Sequence, residues 1–203
     1  MKKVFTLLMF ATLMSCNTNS KTPDSTTEVS VNASDAVYNV QQNESIIVWT
    51  GRELSTSSHY GTINLESGQF EITNGLITSG VFIVDMTTIN NQDLPEDKRP
   101  RLEGHLKSDD FFSVESFPQA KLTIDNSESI SQGNWLVLGE LTIKNFTHPI
   151  QFEMSNTNEG WKANLVFDRS KYEVKFRSGT FFENLGDKLI YDEIELAINL
   201  KTL

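Results

Sequence analysis

Along most of this chain apolar and polar residues change places at every step, and that period of two constrains the fold more than any other feature. Trp161, Ala163, Leu165 and Phe167 share one face, against Lys162, Asn164, Val166 and Asp168 on the other. Ile194, Leu196, Ile198 and Leu200 oppose Glu193, Glu195, Asn199 and Lys201, and Ile150, Phe152 and Met154 oppose Gln151, Glu153 and Ser155. Successive side chains of a strand point to opposite sides, so each run reads as an antiparallel strand with one wet face. Turn signals separate the runs, and Asn74-Gly75 is the sharpest, because both residues accept the positive φ of a tight hairpin. The expected strands are 36–41, 45–54, 59–72, 75–87, 119–127, 134–144, 148–156 with 160–168, and 188–201. That makes about eight, or nine if the seventh is counted as the hairpin it contains, and implies an all-β barrel or sandwich. The run 75–87 is apolar on both faces, which calls for an inner core or cavity and an outer partner.

Two regions interrupt the alternation. Residues 88–118 contain Pro95, Pro100 and one expected helix around Leu102–Asp109; residues 169–187 begin with Arg169-Ser170-Lys171-Tyr172. Both are too long for hairpin turns, and loops of that length are usually functional or disordered. Their aromatic content argues for function. Phe111, Phe112, Phe117, Phe176, Phe181 and Phe182, six of the thirteen phenylalanines, lie there rather than in strands. We expect two aromatic lids over one or both openings of a barrel.

The first residues read as an export signal. Lys2 and Lys3 precede an apolar run from Val4 to Leu13, too short to span a membrane, and Leu13-Met14-Ser15-Cys16 follows. This ending resembles a bacterial lipobox, which implies a signal over residues 1–15 and acylation of Cys16. Cys16 is the only cysteine, so no intrachain disulfide can form. Acyl chains contribute about 0.8 kcal/mol per buried methylene, and three would anchor the chain stably. Asn17 after the cysteine resembles the pattern of lipoproteins sent to the outer membrane, which implies a cell-envelope protein anchored there, on its periplasmic face or at the cell surface. Residues 16–35 are Thr, Ser, Asn and Asp with almost no large apolar side chain, and read as a flexible tether to one domain over 36–203. The formal charge of −10 argues against nucleic acid as a partner and against electrostatic docking on anionic lipid.

The segment Gly104–Leu122 carries the most specific motif. His105, Leu106, Ser108, Phe111, Phe112, Phe117, Pro118 and Ala120 match, in spacing, the signature H-L-x-S-x-x-F-F-x-x-x-x-F-P-x-A of the YceI-like family. Further resemblance lies in Trp49-Thr50-Gly51, His59-Tyr60-Gly61, Val84-Asp85-Met86, Gly139 to Lys144, Pro149-Ile150 and Phe167-Asp168-Arg169. The chain departs from the pattern at Asn145, where glycine is common, and in the run Phe181–Asp187. The resemblance implies an extended, lipocalin-like antiparallel barrel that binds polyisoprenoid or other amphiphilic lipid. On such a barrel the ligand-lining candidates are Trp49, His59, Phe82, His105, Phe111, Phe112, Phe117, Trp161, Phe167, Phe176, Phe181 and Phe182. An eight-stranded barrel either fills with side chains or holds one ligand, and the sequence does not separate the two.

Polar chemistry is sparse. His59, His105 and His148 have no recognised metal-ligand spacing, so neither a metal nor a cofactor is expected. His105 and Asp109 stand four residues apart on the expected helix, open to a base-and-orienter reading or to a structural pin. His59 is a candidate headgroup contact, and His148, before Pro149, a turn residue. Asp85 needs water or a partner, and Arg169 is the partner suggested by type. No nucleophile elbow or phosphate-cradling glycine loop occurs. The reading is a non-enzymatic lipid carrier. Its rivals are a ligand-free envelope lipoprotein and an enzyme using His105 and Asp109.

Overall fold

The computed structural model describes residues 30–55 and 57–203. The signal, Cys16 and most of the expected tether lie outside them. Nine strands follow in order: β1 (Ala36–Asn39), β2 (Ile46–Arg52), β3 (Ser58–Thr73), β4 (Leu76–Asn91), β5 (Gln119–Ser131), β6 (Asn134–Ile143), β7 (Phe146–Thr157), β8 (Gly160–Asp168) and β9 (Glu193–Leu200). The only α-helix among the described residues, α1 (Arg99–Lys107), joins β4 to β5. All pairings are antiparallel, and the order β3-β2-β9-β8-β7-β6-β5-β4 closes through β4 on β3. The result is an eight-stranded barrel. β1 adds to the outer stretch of the β3 edge, pairing Ala36–Asn39 with Ile72–Gln69, while β2 takes Ile63 to Ser58.

Because the barrel proper, β2 to β9, is an up-and-down meander, its strands of even number end at one pole and those of odd number at the other. Arg52, Asn91, Ile143 and Asp168 mark the first pole; Thr73, Ser131 and Thr157 mark the second. Three tight hairpins close the second pole. In the first, Asn74 and Gly75 have φ of 53° and 74°, as the two-residue turn requires, and the Asp35 carboxylate accepts both their N–H groups at 2.8 and 3.0 Å. Residues 30–35, expected within the tether, dock here. Ser30 bridges Thr157 and bonds the Asn134 side chain, and the Val31 N–H donates to the Asn156 carbonyl at 2.9 Å. Among the described residues, the contacts of the barrel thus reach back to Ser30, ahead of Ala36.

An aromatic plug fills this pole. Trp161 lies edge-on to Phe70 at 4.7 Å and to Tyr38 at 5.1 Å, and packs beside Trp135 at 5.7 Å. The Trp135 indole N–H donates to the Gly75 carbonyl at 2.9 Å, so the one polar atom of the buried ring is satisfied.

Several element boundaries differ from the sequence expectation, each for a local reason. β4 runs on to Asn91 because its end still pairs with Gly61 and Thr62 of β3. At Gly61 an added Cβ would stand 1.8 Å from the Asn90 carbonyl oxygen, so only glycine fits this crossing. The last strand starts at Glu193 instead of 188, since Ile190 and Asp192 are engaged by the second lid. α1 starts at Arg99 because Pro100 suits a first turn, and stops at Lys107 because Ser108 turns extended (ψ 173°) and its hydroxyl donates to the His105 carbonyl at 2.7 Å.

The expected Asp85–Arg169 pair does not form. Asp85 instead organises a bulge in β4: its carboxylate accepts from the Thr87 N–H and hydroxyl at 2.9 and 2.6 Å, and its carbonyl from the Thr88 hydroxyl at 2.6 Å. The bulge shifts the facing pattern, so that Met86 and Ile89 both turn inward although three residues apart.

Candidate functional site

At the first pole the barrel is hollow. A cavity of about 370 Å³ runs inward from the rim, and a second of about 70 Å³ continues it toward the plug. Ile47, Val84, Ala120, Leu141 and Leu196 line both, so the two spaces adjoin end to end as a tunnel divided at these five residues, of which Ala120 is the smallest. The inward positions of the alternating strands build the wall: Ile47 and Trp49 from β2, Ile63 from β3, Val84, Met86 and Ile89 from β4, Leu141 and Ile143 from β6, Phe167 from β8, Ile194 and Leu196 from β9. Packed interiors hold few voids larger than a water molecule, so this volume is exceptional for a core and falls within the size of small-ligand pockets.

Both lids close over this one opening. The first consists of α1 and the loop after it; the second is residues 169–192. His105 joins them: its ring stands edge-on to Phe111 at 5.0 Å and to Phe176 of the second lid at 4.4 Å, and Phe111 and Phe176 touch at 5.5 Å. The carboxylate nearest the imidazole is that of Asp110, at 3.7 Å, not Asp109. Helix α1 ends at Lys107, so Asp109 no longer sits one helical turn from His105. The arrangement is an aromatic latch.

Beneath the latch lies Arg169, wholly buried. It donates to the carbonyls of Tyr191, Val174 and Ile190 at 3.2, 3.0 and 3.1 Å, meets Asp192 at 3.2 Å and lies 5.6 Å from the centre of the Phe111 ring. Burial lowers the affinity of the guanidinium for its proton, opposed by Asp192 and Asp168. Asp192 in turn accepts from the Ser178 and Thr180 hydroxyls, both at 2.8 Å. One arginine therefore knots the second lid together and carries the face on which the first rests.

At the rim, His59 Nδ1 lies 2.8 Å from the Asp93 carboxylate, which also accepts from the Tyr60 N–H and from the side chain of the buried Asn91. Burial alone would raise the Asp93 carboxyl; the hydrogen bonds from His59, Tyr60 and Asn91 outweigh it and hold the group below the usual carboxylate range. Arg52, Glu53, Arg101 and Arg177 complete the rim.

Seven of the twelve candidates named from sequence thus line the main cavity: Trp49, His59, His105, Phe111, Phe112, Phe167 and Phe176. Phe82 lines the deeper one. Trp161 belongs to the plug. Phe117 is half-buried outside the cavity wall, Phe181 packs under the Lys175 ammonium and Phe182 is half exposed on the outer face of its lid. His148 bonds the Lys171 carbonyl at 2.9 Å, so the three histidines serve three separate places. The candidates named from sequence include none of the aliphatic residues of the wall and none of the arginines of the rim. The inward face of the alternation marked the first, and the second shows in where the arginines fall along the chain.

The comparisons with known proteins agree with this architecture. Among curated relatives, a UPF0312 protein of Shewanella denitrificans is 27% identical over 175 residues, covering 81% of this chain and 90% of its own. One from Yersinia enterocolitica is 24% identical over 155 residues, covering 74% and 76%. Among solved structures, BcnA of Burkholderia cenocepacia superposes with a TM-score of 0.61 at 15% identity, over 79% of this chain and 98% of its own. A domain of Saccharophagus degradans described as polyisoprenoid-binding gives 0.54 at 12% identity, over 80% and 95%. The model of the YceI-like domain matches residues 38–202, which is the whole barrel with its plug and both lids, and the chain belongs to that family.

Proposed function

We propose that this protein carries an amphiphilic lipid, of isoprenoid type, with its tail in the tunnel, and that it does so in the cell envelope, anchored through an acylated Cys16. The tunnel carries the argument. Inward of the rim its walls are almost wholly apolar, the aromatic plug of Trp161 and Trp135 fills the far pole, and His105, Phe111 and Phe176 latch the near one. A tail entering it gains about 25 cal/mol for each Å² of apolar surface removed from water, without any polar motif. The likeness to a polyisoprenoid-binding domain supports an isoprenoid tail. Binding and release are passive, with the latch separating to admit the tail.

Native mass spectrometry of the protein purified without detergent tests this. A retained adduct that an organic extract identifies as a lipid is the expected result. A bare polypeptide mass and an empty extract, also after incubation with farnesol, count against a carrier. For the anchor, Cys16→Ala should move the protein from the membrane to the soluble fraction, and continued sedimentation with membranes contradicts acylation.

A further inference from the structure

The tunnel accounts for a tail; the rim bears on the head of the same ligand. Five arginines occur in the chain, at positions 52, 99, 101, 169 and 177. All five lie at the open pole, although the chain as a whole has a formal charge of −10. Three of them line the cavity. Their duties differ. Arg52 is occupied by Glu195 through two hydrogen bonds of 3.2 and 3.0 Å, and Arg169 by its lid. Arg99 donates to the Leu94 carbonyl. Arg101, on α1, makes no hydrogen bond or ion pair with any described residue, and Arg177 only lies over the Phe176 ring, 5.1 Å from its centre.

Two guanidinium groups without carboxylate partners therefore sit on the same opening, one from each lid. Arg177 is held there at a backbone conformation unusual for a non-glycine residue (φ 51°), with its carbonyl accepting from the Ile190 N–H at 3.0 Å. Glu53 is the one carboxylate on the cavity wall, against three arginines. A planar guanidinium matches phosphate and carboxylate oxygens with paired N–H donors, which a neutral hydroxyl or quinone head cannot reciprocate. With three arginines to one carboxylate on the wall, the local charge of the mouth favours an anionic head.

We propose that Arg101 and Arg177 clamp the head of the bound amphiphile, and that this head is an anionic oxygen group, phosphate or carboxylate. The clamp spans both lids, so a bound head ties them together above the tail. This rests on the tunnel's being a lipid site.

The test compares ligands with the same tail. Farnesyl phosphate and farnesol, and hexadecanoate and hexadecanol, are titrated by calorimetry into the full chain and into an Arg101→Gln/Arg177→Gln variant. The expected result is at least one anion bound about tenfold or more tightly than its own alcohol, the scale of one charge-assisted contact, with that ratio falling to about one in the variant. Preference in the phosphate pair or in the carboxylate pair identifies which oxygen group the clamp takes. Alcohol and anion binding alike, or a preference that survives in the variant, overturns the clamp and leaves the tunnel. Failure of all four to bind overturns the tunnel reading and the clamp with it. Both side chains face the opening rather than the core, and an Arg101→Lys/Arg177→Lys variant, which keeps the charge, should retain part of the preference if the variants are folded alike.

Discussion

Arg169 illustrates how a single side chain can hold two segments that touch nowhere in sequence. Its donors satisfy three carbonyls of residues 174–191, its charge faces Asp192, and its upper surface supports Phe111. Removing one member of a buried charged pair leaves the other uncompensated, so Arg169→Ala should cost about 3–5 kcal/mol in urea unfolding. A loss of less than about 1 kcal/mol, the range of ordinary surface changes, contradicts that role. Sequence showed the residue, in Phe167-Asp168-Arg169, but not its partner. Asp192 lies beyond a loop of more than twenty residues, and only the folded lid brings it back. Asp85 was likewise visible as an anomaly in an apolar strand, yet the answer was local, in Thr87 and Thr88. A carboxylate followed at two residues by threonine can satisfy itself within the backbone, and that is a signal readable without a structure.

Among the elements, the strands were legible because burial on one face writes a period of two into the chain. Their ends were not, since pairing partners rather than composition decide where β4 and β9 begin and stop. The convergence of the lids depends on whether 148–168 is one strand or two. As a single strand it would have sent the second lid to the opposite pole; as β7 and β8 it returns residues 169–192 to the pole of α1. The second lid also has a pH signature. Burial, reinforced by Asp168, raises the Tyr172 phenol from its ordinary 10.0 to about 12. Its folded value lies above the unfolded one, so its contribution is fully present below pH 10 and drains away as pH rises through that interval. Unfolding free energy should fall more steeply there in the parent than in Tyr172→Phe; identical slopes contradict a buried, neutral Tyr172. In the first lid, Phe112 lines the cavity while remaining half-buried. Phe112→Ala should therefore speed lipid release in a fluorescent-fatty-acid displacement assay, with a smaller effect on melting temperature than Phe111→Ala, whose ring is buried in the latch.

For the molecule as a whole, the decisive unknown in the sequence was whether the barrel is full or hollow. Inward aliphatics read the same in both cases, because void volume is a difference between large packed volumes and leaves no local pattern. Ala120, the smallest residue where the tunnel divides, makes the question testable. Ala120→Phe should fill the tunnel, abolish lipid uptake and leave stability unchanged or raised by about 0.5–2 kcal/mol, as cavity filling does. A large loss of stability would instead mean that the space is already closed. The docking of Ser30 and Val31 on the plugged pole has a further consequence. From Cys16 to Ser30 is a leash of fourteen residues, which reaches roughly 50 Å when drawn out straight. The sixteen residues of β3, tilted as barrel strands are, stand roughly 40 Å high. On the proposed anchoring, the chain reaches the barrel from the membrane at the plugged pole, the end away from the mouth. Its mouth opens toward whatever lies across the compartment, and collecting cargo from its own membrane requires the whole barrel to turn over at nearly full stretch.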